Sequence, residues 1–146
     1  MNFNLNFDQF VSDLGLAHRD CENSRENILG QTSRWQKFAD ARFEGLARFS
    51  QASDRSAIDG EIIGKKFSLE LLQEINGHAG IIEAVVIQPR LGGGVAELGR
   101  FKVNKQGDVI DDAGNVVIDL YEDKGSCALM LAVLNLVIES KVQIKI

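Results

Sequence analysis

Proline occurs once in the 146 residues, at Pro89, and cysteine and histidine twice each. A single proline excludes a Pro-rich linker or tail, and 45% hydrophobic content excludes wholesale disorder. Cys21 and Cys127 form no CxxC pair, and only His18 and His78 are available to join them. That is too few ligands for a structural zinc site and too few thiols for a disulfide scaffold. No metal site or cofactor is therefore expected, and the thiols read as reduced. The longest apolar stretch, Cys127 to Ile138, is interrupted by Asn135 and falls short of the about 20 residues that span a bilayer. MNFNLNFDQF has neither a basic nor an apolar signal region, so the expectation is a cytoplasmic protein with no membrane partner.

Net positive charge is missing too. Sixteen basic residues against twenty-one acidic give −5, no electrostatic pull toward nucleic acid or anionic lipid. The deficit is uneven. Residues 1–66 carry a net charge of −1 and residues 67–146 a net charge of −4. The length suits one domain with a core of its own. Residues 1–146 read as a single domain with two sub-units, 1–53 and 67–146, joined by the glycine-rich, charged stretch 54–66.

From Phe7 to Leu29 apolar residues recur at helical spacing: Phe7, Phe10, Val11, Leu14, Cys21, Ile28 and Leu29. Gly30 suits a left-handed stop. Ser33-Arg34-Trp35-Gln36 fits a capping box for a second helix, with Trp35, Phe38, Ala39, Phe43, Leu46 and Phe49 on its apolar face. Phe67-Ser68 predicts a third, short helix that ends at Asn76-Gly77. The period then becomes two, with strands expected over 81–88, 95–103, 108–110 and 116–121. Asn104-Lys-Gln-Gly107 is echoed by Asp111-Asp-Ala-Gly114, each copy a polar turn ending in glycine before a β-branched pair. Cys127 to Ser140, apolar on every side, predicts a helix at the centre of the molecule, capped by Gly125-Ser126. Val142, Ile144 and Ile146 alternate as a last strand would. The expected fold class is α+β: an N-terminal antiparallel helical hairpin, then an antiparallel β-meander packed on a buried C-terminal helix.

Chemistry has few places to reside. Cys127 sits in a first helical turn, where the dipole favours a thiolate, and His78 lies in a small-residue turn. A Cys127/His78 dyad would make a small cysteine-dependent enzyme, whereas an apolar helix after Cys127 suits an inert packed thiol. Gly92-Gly93-Gly94 lacks the Lys-Ser/Thr and the helix of a phosphate loop. The acidic run from Asp108 to Asp123 fails the calcium-loop template and reads as turn residues. On a continuous second helix, Arg34, Lys37, Arg48 and Arg55 would form a basic stripe for a nucleic-acid accessory factor, with local ion pairs as the plainer account. Arg42 would point into the apolar face of that helix, and Asn135 would sit inside the last one. The thin catalytic inventory favours a non-catalytic protein-interaction module: a small acidic adaptor, inhibitor, immunity-type or chaperone-like factor. It would use Trp35, Phe38, Arg42, Phe43 and Phe49 against another protein or a second copy in a homo-oligomer.

Overall fold

In the computed structural model, which describes residues 1–141, helices α1 (Phe7–Leu29) and α2 (Gln31–Arg42) precede seven strands and a last helix. The strands are β1 (Ala47–Gln51), β2 (Ala57–Ile62), β3 (Lys65–Asn76), β4 (Ala79–Pro89), β5 (Val95–Val103), β6 (Asp108–Ile110) and β7 (Val116–Asp119). Helix α3 (Asp123–Glu139) follows. The class is α+β, and the strands form one antiparallel sheet in which chain neighbours are sheet neighbours.

Asn6 starts α1, its side chain accepting the Gln9 amide at 3.0 Å. Gly30 does not turn left-handed. It sits at φ −62°, ψ −19°, and donates to Glu26 O at 2.9 Å, so residues 7–42 form one bent helix rather than a reversal at this glycine. Helix α2 ends at Arg42, short of the expected Phe49, because Glu44 and Gly45 both take positive φ. Phe49 therefore belongs to β1, although its spacing fitted a helix. The stretch 54–66 is not a mere connection either, since it contains β2 and the start of β3.

The third helix expected after Phe67 is a strand. Leucine, glutamate and glutamine favour helix in isolation, but the turns at Ile63-Gly64 and Gly77-His78 set this segment between β2 and β4. Phe67, Leu69 and Leu71 then all face the core, and Glu70 and Leu72 face away. The echoed motifs share one geometry. Gly107 donates to Asn104 O and Gly114 to Asp111 O, with φ of +83° and +85° at the two glycines. The triglycine is the β4–β5 loop, closed by Arg90 N–H to Gly94 O at 3.0 Å.

Both long helices lie on the same face of the sheet. A Cβ on Gly80 would stand 2.5 Å from Ala17 O and Cys21 Sγ of α1, and one on Gly99 would stand 2.8 Å from Leu136 of α3. Gly80, Ile82, Ala84, Val86 and Gln88 alternate along β4 toward that face, and all are buried. The opposite face carries cross-strand ion pairs, Arg100 with Glu83 at 2.6 Å and Lys102 with Glu74 at 3.3 Å. At the outer strand, the Phe49 amide donates to Gln36 Oε1 of α2 at 2.7 Å.

Helix α3 is not apolar-buried all round. Leu129, Met130, Val133, Leu134 and Val137 enter the core, while Leu131, Leu136 and Ile138 stay exposed. Gly125-Ser126 lies within its first turn rather than ahead of it. A Cβ on Gly125 would meet Asp119 O at 2.1 Å, so only glycine lets α3 start this close to β7. The final alternating segment, Val142 to Ile146, lies outside the described residues.

Candidate functional site

Helix α1 is divided. From Ala17 onward it packs on β3 and β4, but of residues 1–16 only Asp13 is even half-buried. Phe7, Phe10, Val11 and Leu14 occur at i, i+3, i+4 and i+7, so they form one stripe along the first two turns, which are exposed. Phe7 is 78% exposed and Phe10 52%, and Phe3 ahead of them is 84% exposed. Among the described residues nothing covers this stripe, and its apolar surface gains nothing from water. Asp8 and Asp13 flank the stripe and are the only charged side chains in residues 1–16.

A second apolar surface lies elsewhere on the molecule. A groove of about 590 Å³ opens where the C-terminal end of α2, the β2–β3 turn and α3 meet. Phe43, Leu46, Ile63, Leu131, Leu134 and Ile138 wall it, and Arg42, Glu44 and Asn135 line it too. Lys65 Nζ donates to Ile138 O at 3.0 Å. Among the described residues Arg42 makes no ion pair. It is exposed rather than buried in an apolar face, because α2 ends before that face is complete.

Ile63 stands in this groove at a backbone cost. Its φ is +45° and that of Gly64 is +82°, the signs of a type I′ hairpin, where asparagine is the usual first residue. A β-branched residue in the left-handed region is disfavoured by about 1–2 kcal/mol, and this one holds an isoleucine side chain in solvent.

The chain matches no family model, no curated protein and no solved structure.

The residues expected to bind a partner separate into two sets. Trp35 is fully buried, its indole N–H donating to Ser126 O at 3.1 Å and to Ser126 Oγ at 3.2 Å. Phe49 stacks edge-on against it, ring centroids 5.5 Å apart, and Phe38 packs on the same core. Trp35 and Phe49 are therefore interior anchors joining α2 to α3 and β1, not an interaction face. Arg42 and Phe43 reach the groove.

The basic stripe does not exist as a stripe. Arg34 lies on α2 and pairs with Asp123 at 2.5 Å, tying α2 to the start of α3. Arg48 is on β1, paired across to Glu61 at 2.9 Å, and Arg55 sits in the β1–β2 turn against Glu22 and Glu26 of α1. Of the four only Lys37 is left without an ion pair among the described residues. Cys127 is half-buried against the core, and His78 lies exposed in the β3–β4 turn. No hydrogen bond joins them among the described residues. Burial pushes the Cys21 thiol above its ordinary range, with Arg25 partly opposing, and its Sγ lies 3.7 Å from Ile81 O. No group of three or more His, Cys, Asp or Glu among the described residues is placed to hold a metal ion. No helix among them is long and apolar enough to cross a membrane.

Sequence reasoning found the α1 stripe but not its exposure. It missed the groove, whose walls come from three segments spread between Arg42 and Ile138. One local signal was available: an Ile-Gly pair at a tight turn, where the geometry calls for Asn-Gly.

Proposed function

We propose that the protein is a non-catalytic interaction module of the adaptor or chaperone-like kind, which presents the projecting stripe of α1 to a protein partner. The observation that supports this reading is the exposure of Phe7, Phe10, Val11 and Leu14 together on a helix that leaves the body of the fold. Amphipathic helices with anchors at i, i+3, i+4 and i+7 are a recurrent means of recognition, laid into an apolar groove on the partner. Aromatic residues supply much of the energy at such contacts, and two phenylalanines lie on this stripe. The carboxylate-rich turns and the ion-paired sheet face add solubility around it.

The test replaces Phe10 with a photo-crosslinking residue in the full chain, with the same replacement at Asn115, exposed in the β6–β7 turn, as a control. Irradiation in the source cells is expected to give a discrete protein adduct from position 10 and none from position 115. If position 10 gives no protein adduct, the reading fails.

A further inference from the structure

We propose that the partner is a second copy of this chain: the α1 stripe of one copy docks in the α2–α3 groove of the other, and the reverse contact closes a two-fold dimer. This rests on the interaction reading above and goes beyond it by naming the occupant of the groove.

Each chain carries both halves of one helix-in-groove contact. Among the described residues the two halves are not joined internally: residues 7–16 are exposed apart from half-buried Asp13, and the groove is open. Charge favours this pairing over two α1 helices lying together. Self-pairing sets Asp8 and Asp13 of one copy against Asp8 and Asp13 of the other, with no basic side chain in residues 1–16 to offset them. The groove rim instead carries Arg42, which makes no ion pair among the described residues, beside Glu44, so those carboxylates meet a rim with no net negative charge and one guanidinium to face.

Area gives the same answer. The stripe exposes roughly 400 Å² of side chain. Two reciprocal docks, counting the groove walls they cover, remove on the order of 1,600 Å², the standard size of a stable interface. A helix seated in a groove of different shape is a heterologous contact, which forms open chains unless the reverse contact closes it. Closure by two-fold symmetry uses both stripes and both grooves and leaves neither exposed. The strained Ile63 also finds a use here, since an asparagine at that turn would remove an apolar wall from the groove.

The assay is the mass of the full-length chain by light scattering at about 100 μM, where a dimer with a Kd near 10 μM is mostly assembled. The expected mass is twice the 16.1 kDa of one chain. Leu14→Asp spoils the stripe and Leu131→Asp spoils the groove, both at exposed positions, and circular dichroism checks that each variant folds. Each is expected to weaken the dimer roughly 100-fold. Mixing the two variants restores one intact dock, so the mixture should associate more tightly than either alone. Ile63→Asn should raise the unfolding temperature of the monomer and weaken the dimer at the same time. A monomeric parent chain overturns the proposal. So does a dimer that survives Leu131→Asp but not Leu14→Asp, which identifies helix self-pairing. A dimer unchanged by Ile63→Asn, or a mixture no tighter than its components, also counts against it. If the chain is monomeric while the crosslinker at position 10 captures a different protein, the interaction reading stands and this inference falls.

Discussion

Gln88 offers a substitution that should stabilise the protein, against the usual direction of core mutations. It lies on the helix-covered face of β4, opposite Ala96, and is fully buried. Among the described residues neither its Nε2 nor its Oε1 has a hydrogen-bond partner. A buried polar group left unpaired costs about 1–3 kcal/mol in lost hydration. Gln88→Met keeps the length and flexibility of the side chain and removes both polar atoms. Imperfect fit of the thioether returns up to about 1 kcal/mol of that gain. The net expectation is a stabilisation of about 1–2 kcal/mol. Urea unfolding at low protein concentration should show it as a midpoint raised by about 0.5–1 M with an unchanged slope. Gln88→Ala is the control: it also removes the amide but leaves a cavity, and should be less stable than Gln88→Met by about 2 kcal/mol or more. If Gln88→Met is no more stable than the parent, with the slope unchanged, the amide is satisfied in solution and the argument is refuted.

Other expectations test the packing and the titrating groups. Gly80→Ala puts a methyl group against α1 and should destabilise by about 1–3 kcal/mol, seen as a lowered unfolding temperature; an unchanged temperature means that α1 can slide. A thiol reagent should modify half-buried Cys127 more than about 100-fold faster than Cys21 in the folded protein, and comparable rates would contradict the burial of Cys21. Because the Cys21 thiol is held above its ordinary range, the folded chain keeps that proton while the unfolded chain loses it. Stability should therefore fall as the pH climbs past the ordinary thiol range, and Cys21→Ala should remove that part of the slope. Asp54 is held below the ordinary aspartate range, first by the Ser56 hydroxyl and then by the Ser56 amide. Carboxyl titration by NMR should show the Asp54 midpoint rising in Ser56→Ala. The stabilisation from this turn is present above the ordinary aspartate range and is lost as the pH falls through the lowered midpoint. Amides in the first two turns of α1 should exchange with solvent much faster than those from Ala17 onward, and uniform protection would contradict the projection of the helix.

What was legible in the sequence followed from local rules with no competitor. Asn104–Gly107 and Asp111–Gly114 are turns because asparagine or aspartate, then glycine, satisfies both the backbone donors and the left-handed corner. β5 begins and ends where its alternation does, and α3 forms where leucine, alanine and methionine dominate. The failures lie where two periods fit the same residues. Phe67, Leu69 and Leu71 alternate, but Leu72 and the glutamates also allow a helix, and only pairing with β2 and β4 decides between them. Phe43, Leu46 and Phe49 continue the spacing of Trp35 and Phe38, yet the left-handed pair Glu44-Gly45 breaks the register, and nothing in that spacing reveals it. For the candidate site, the α1 stripe was visible but its free half was not. Periodicity reports that a face is apolar, and only the folded body shows whether anything covers it.

The hydrogen bond from the Phe49 amide to Gln36 bears on how large this sheet can become. Among the described residues β1 is the outermost strand on its side, and Phe49 is its middle residue. An outer strand with free donors is a template on which another extended chain can add, and repeated addition is how fibrils grow. Gln36 occupies the central donor with a side chain that cannot propagate a ladder, so the template is blocked in its middle. The same bond that fixes α2 against β1 thereby hinders strand addition at this edge of the sheet. Gln36→Ala would reopen that edge without emptying the core, so its first symptom would be slow aggregation rather than unfolding.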